Sequence, residues 1–181
     1  MDDFMTPNIK RLIPLIESLE KNKISYNLGG SALLYSMKLT DQVNDWDVLV
    51  DCPKDHLLRS IEAFPWIEEH SGDPPFASQY RICIPDINVD LIGGFALHTE
   101  TGIFRVPLVD SRSWNGVRLS SPELWFVAYS LMQRKAKADL LLKYLKSGGA
   151  APNRELLQRL IREQAIPDFI KADLHEVWES S

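Results

Sequence analysis

Several common functional signatures are missing from this chain of 181 residues. There are only two cysteines, Cys52 and Cys83, and they stand alone, so neither a disulfide framework nor a thiolate metal cluster is built here. Reduced core filler in a cytoplasmic protein is the role their spacing leaves them. No apolar run approaches the roughly 18 residues that cross a bilayer, which excludes a membrane-spanning role. The first residues, Met1-Asp2-Asp3-Phe4, lack the basic flank of a signal peptide. Positive charge is also short: the net charge is −5, the wrong sign for nonspecific wrapping of nucleic acid. The glycine patterns of P-loop and dinucleotide-binding proteins are absent, so those nucleotide folds are excluded too.

What remains is an ordinary globular composition, 45% hydrophobic and 25% charged, with an uneven distribution of charge. Eight basic residues but only three acidic ones fall between Gln133 and Gln164, leaving the rest of the chain strongly acidic. Most of these charges read as solvated helix faces.

Periodicity divides the chain into a mixed part and a helical part. Thr6-Pro7 is a helix start, followed by Ile9, Leu12, Ile13, Ile16 and Leu19 at helical spacing. A short strand over 24–28, a helix over 31–39, a strand over 47–51 and a helix over 55–64 come next. Strands are predicted over 79–84, 87–92, 103–108 and 116–119, with Pro85-Asp86 as a turn between the first two. From Ser121-Pro122-Glu123 onward the pattern is helical: one helix through Leu131, one over 137–145, one over 153–164 and at most a short one in the tail, with a break at 147–152. The expected fold class is α+β: a small mixed β-sheet flanked by helices over 1–120, with a helical C-terminal portion over 121–181.

Chemistry concentrates in three short stretches. Asp45 and Asp47 in "DWDV" lie two residues apart and so share a face of a strand. Two neighbouring carboxylates in a partly dry site repel unless something compensates them, and a hard divalent cation such as Mg²⁺ or Mn²⁺ does so. Asp90 in "NVDL" sits inside an apolar strand, where an unpartnered carboxylate is costly. If the hairpin closes at Pro85-Asp86 as a two-residue loop, Arg81 lies opposite Asp90, and a structural ion pair is the rival account of this aspartate. Gly29-Gly30-Ser31 in "LGGS" joins a strand to a helix and offers backbone N–H groups and a hydroxyl to an anion.

In combination, "LGGS" (28–31), "DWDV" (45–48) and "NVDL" (88–91) resemble the nucleotidyltransferase superfamily with the DNA-polymerase-beta-like fold, over roughly residues 24–95. The resemblance is looser through 120–145, where Tyr129 stands near a position at which relatives carry a lysine. It implies transfer of an NMP group from an NTP to a hydroxyl acceptor with a two-metal Mg²⁺ site. Nucleotide binding then falls to Gly29, Gly30 and Ser31, and metal binding and catalysis to Asp45, Asp47 and Asp90. The acidic net charge favours a small molecule or a protein over a nucleic acid as acceptor. The alternative is a nucleotide-binding or protein-interaction module of the same fold without turnover. Trp125 and Phe126 read as core packing, and no histidine is assigned a role.

Overall fold

The computed structural model describes residues 8–181. Thr6-Pro7 and the first four residues lie outside that range. Regular helix begins at α1 (Ile13–Lys21), where Pro14 sits in the first turn and its missing N–H costs nothing.

A seven-stranded mixed sheet organises the molecule. Its members in chain order are β1 (Ser25–Leu28), β2 (Trp46–Asp51), β3 (Ile67–Glu69), β4 (Tyr80–Ile84), β5 (Val89–Gly93), β8 (Asp110–Trp114) and β9 (Val117–Ser120). Their spatial order is β3-β4-β5-β2-β1-β9-β8. A small second sheet pairs β6 (Ala96–Thr99) with β7 (Gly102–Arg105). The strand β2 is central, antiparallel to β1 and parallel to β5. Its run Val48-Leu49-Val50 is buried on both faces, the pattern of an interior strand.

Among the described residues, seven α-helices complete the α+β fold: α1, α2 (Gly30–Ser36), α3 (Lys54–Ser60), α4 (Pro122–Leu131), α5 (Lys135–Lys146), α6 (Arg154–Arg162) and α7 (Asp168–Ser180). The last is 13 residues long, not the short tail helix that the sequence suggests. The helix α4 is buried on nearly every side, from Pro122 to Tyr129, and its apolar residues join those of the sheet in one continuous core. Its start is set by Ser121, whose hydroxyl caps Leu124 N–H, and by Pro122 at the first helical position. Buried Glu123 accepts from Ser121 Oγ at 2.5 Å and from the backbone N–H of Asn153 at 2.7 Å, tying the start of α4 to the start of α6.

Three strands escape the hydrophobic pattern. β3 is an exposed edge, Ile-Glu-Glu; β8 is Asp-Ser-Arg-Ser-Trp, almost wholly polar; β6 follows Gly93-Gly94 with little alternation. The hairpin β4–β5 also differs from expectation. Pro85–Ile87 forms a 3-10 turn and Asn88 takes a left-handed conformation at φ 53°, so four residues, not two, connect the strands. Asp90 therefore faces Cys83, and Arg81 faces Ile92.

Candidate active site

The parallel pairing of β2 with β5 places Asp47 directly beside Asp90. Asp45 precedes the strand by one residue and turns to the same side. Each of the three offers a carboxylate oxygen, and these oxygens lie within 4.8 Å of one another. The sheet thus brings together the three aspartates that the sequence singles out.

The glycine turn makes this convergence possible. Gly30 has φ +59°, and a Cβ there would stand 1.9 Å from Asp47 Oδ2. Only glycine lets the turn and the carboxylate occupy neighbouring space. Gly29 is held against the sheet by its N–H, which donates to Asp47 O at 2.9 Å, and a Cβ on it would strike the Trp125 ring at 2.1 Å. Ser31 is buried, and its hydroxyl accepts from Asn44 N–H at 3.0 Å and donates to Asp45 O at 3.4 Å. The serine therefore anchors the loop that delivers Asp45. Asn88, the left-handed residue at the hairpin end, braces the same loop through Nδ2 to Asn44 O and by accepting from Trp46 N–H.

Charge in the site is uncompensated on one side and compensated on the other. Burial, then the nearby Asp45 and Asp90, push the Asp47 carboxyl up to about 7. Burial and Asp90 raise Asp45 as well. Asp90 has its own partner: Arg81 donates Nε to Oδ1 at 3.2 Å and Nη2 to Oδ2 at 2.8 Å. The ion pair forms although the register differs from the one expected, because Arg81 is the diagonal neighbour on the same face and a long side chain spans that offset. The pair and the triad coexist in one structure; neither excludes the other.

The triad opens into a cleft of about 450 Å³. Two cations missed by sequence reading, Arg134 and Lys137, line it from the start of α5 and oppose the upward shifts of Asp45 and Asp47. Lys137 Nζ sits 5.3 Å from the centre of the Tyr129 ring. Tyr129 in turn packs on Trp125, centroids 5.3 Å apart, and Trp125 stacks on Phe95 at 5.6 Å. Trp125 is core, as its helical position suggests, yet one face of that core is a wall of the cleft.

Three hard oxygen donors at this separation fit a small divalent cation: they are carboxylates, they converge, and the raised proton affinity of Asp45 and Asp47 is the signature of charge awaiting a counterion. Asp45, Asp47 and Asp90 are the residues that would hold it.

No protein-family model matches the chain, and no curated protein does. Solved structures do. A Thermotoga maritima protein assigned provisionally as a nucleotidyltransferase superposes with a TM-score of 0.56 at 22% identity, over 79% of this chain and 96% of its own. The crystal structure of ANT(2″)-Ia in complex with adenylyl-2″-tobramycin gives 0.53 at 11% identity, over 94% and 97%. A solution structure of the same antibiotic-resistance factor gives 0.58 at 13%, over 97% and 96%. At these identities the likeness speaks for architecture, and the chain has a nucleotidyltransferase-like fold.

Proposed function

We propose that this protein is a Mg²⁺-dependent nucleotidyltransferase that moves an NMP group from an NTP to a hydroxyl acceptor. The observation that carries the reading is the convergence of Asp45, Asp47 and Asp90 within 4.8 Å beside a glycine turn, on a nucleotidyltransferase-like fold. A third carboxylate within reach of an in-register pair is costly in a folded protein, and a retained cost of this kind favours an active site over a silent module.

In the reaction the acceptor oxygen forms a bond to the α-phosphorus, the bond from that phosphorus to the bridging oxygen breaks, and pyrophosphate leaves. Asp45, Asp47 and Asp90 would hold Mg²⁺, which would supply charge neutralisation at the phosphates and polarisation of the attacking hydroxyl. The Gly29-Gly30-Ser31 turn beside the aspartates would receive the phosphates, with the Ser31 hydroxyl committed to the Asp45 loop. Arg134 and Lys137 meet phosphate oxygens from the helical segment, the task for which Tyr129 has no charge. Asp90, reached from a different strand and steadied by Arg81, stands on the acceptor side and takes or shares the hydroxyl proton. One similar structure holds a small molecule adenylylated at a 2″ position, which supports a small-molecule acceptor here in preference to a nucleic acid. A cytoplasmic setting supplies both NTP and Mg²⁺; among the described residues no helix is long and apolar enough to cross a membrane.

Incubation with Mg²⁺, α-³²P-labelled NTPs and fractionated metabolite pools tests the reading. Pyrophosphate release with label moved to a new species is expected, and its loss in Asp47→Asn ties the transfer to this site. Mg²⁺-NTP binding without transfer to any pool favours the silent module.

A further inference from the structure

The cleft differs on the two sides of the carboxylates. The Gly29–Ser31 turn follows β1, and a chain of contacts runs from Gly29 to Trp125, then Tyr129, then Lys137, so the cationic wall belongs to the turn side. β4 and the segment 70–78 that leads into it flank the triad on the other side, because β5 and β2 lie between β4 and β1 in the sheet.

On that second side the lining loses its charge within one pleat. The next residue after Asp90 on the same strand face is Ile92, about 7 Å along, register-paired with Leu49 and Arg81. Phe95 continues the floor, and Phe76, 37% exposed, faces the cleft from the segment 70–78. Outside the triad, Asp73 is the one carboxylate among the cleft's described lining residues, and it is already paired to His70 at 3.0 Å on the open rim. Arg81 is the nearest cation, and its charge is spent on Asp90.

Resting on the nucleotidyltransferase reading above, we propose that this side seats the acceptor, and that the acceptor is an uncharged molecule carrying its hydroxyl on an aromatic or aliphatic ring. A ring gains by covering Phe76 and Ile92. A polyamine finds, in the cleft lining outside the triad, a single rim carboxylate that is already paired. The hydroxyl of a ring seated there points back along β5 toward Asp90.

Methyl-resolved NMR of Ile92 tests this without turnover. The protein is first saturated with Mg²⁺ and a non-hydrolysable ATP analogue, then titrated with phenyl β-D-glucopyranoside, an uncharged aromatic sugar, or with neamine, a polycationic aminosugar. The glucoside is expected to shift the Ile92 methyl saturably, with affinity reduced roughly tenfold, the value of one lost ring contact, in Phe76→Ala and largely kept in Phe76→Leu. Neamine is expected to leave the signal unmoved. A saturable neamine shift, no glucoside shift, or a glucoside shift indifferent to Phe76 overturns the proposal. Competition between glucoside and nucleotide also overturns it, since the apolar wall would then serve the base. Failure of the ATP analogue and of its GTP, CTP and UTP counterparts to bind in the first step refutes the nucleotidyltransferase reading instead, so the two failures are separable.

Discussion

Replacing Asp47 with asparagine should make the metal-free protein more stable while removing its capacity to answer Mg²⁺. Asp47 ionises near 7 in the folded chain against 3.8 for a free carboxyl, chiefly through burial and then through Asp45 and Asp90. A rise of roughly three pH units corresponds to about 4 kcal/mol for full ionisation. The sign follows from the protonation states. Below about pH 4 the group is neutral whether folded or unfolded and carries no penalty. As pH climbs toward 7 the unfolded chain ionises freely while the folded one resists, and stability falls; above 7 the full penalty is present. Asparagine has the same shape, fits beside Gly30 and cannot ionise. Arg134 and Lys137 already relieve part of the charge, and the amide brings its own hydrogen-bonding demands, so a gain of roughly 2–4 kcal/mol above pH 8 is expected. For a domain of this size that raises Tm by roughly 5–12 °C. Denaturation with EDTA present, from pH 4.5 to 8.5, should show the two proteins converging at the acid end and separating toward the alkaline end. An asparagine variant no more stable than wild type at pH 8, or a difference that is flat with pH, would refute the picture of a strained carboxylate cluster.

Gly30→Ala should cost at least about 1–2 kcal/mol from the left-handed backbone alone; Asp47 must also shift, so the metal-dependent rise in Tm should vanish with it. Asp90→Asn should leave nucleotide affinity within a few fold by calorimetry and lower transfer at least about a hundredfold, the low end of general-base contributions; surviving transfer would make Asp90 a structural partner of Arg81. Glu123→Ala should destabilise by about 1–3 kcal/mol, the cost of leaving the buried Ser121 hydroxyl without its acceptor, with Mg²⁺-NTP affinity unchanged.

The parts of the site visible in the sequence are those whose chemistry is local. Asp45 and Asp47 announce themselves by like charge at strand spacing, Asp90 by sitting in an apolar run, and Gly29-Gly30 by joining strand to helix. The hairpin register was not legible, because Pro85 starts a 3-10 turn and Asn88 absorbs the left-handed step that closes it. The edge strands β3 and β8 carry polar residues on both faces, so alternation says nothing about them. Arg134 and Lys137 reach the cleft only because α4 buries itself in the core and the chain turns back at Gln133, with φ 57°, into α5. In the sequence they are indistinguishable from the solvated cations around them. Trp125 shows the same limit: helical spacing assigns it to the core, while tertiary packing decides that the core's edge faces the cleft.

Isothermal titration with a non-hydrolysable ATP analogue, with and without Mg²⁺, on wild type and Asp47→Asn, reaches the central claim most directly. The triad account predicts one nucleotide per chain, bound by the wild type only when Mg²⁺ is present and not by the variant. Nucleotide binding that is indifferent to Mg²⁺, or unchanged in Asp47→Asn, would contradict it.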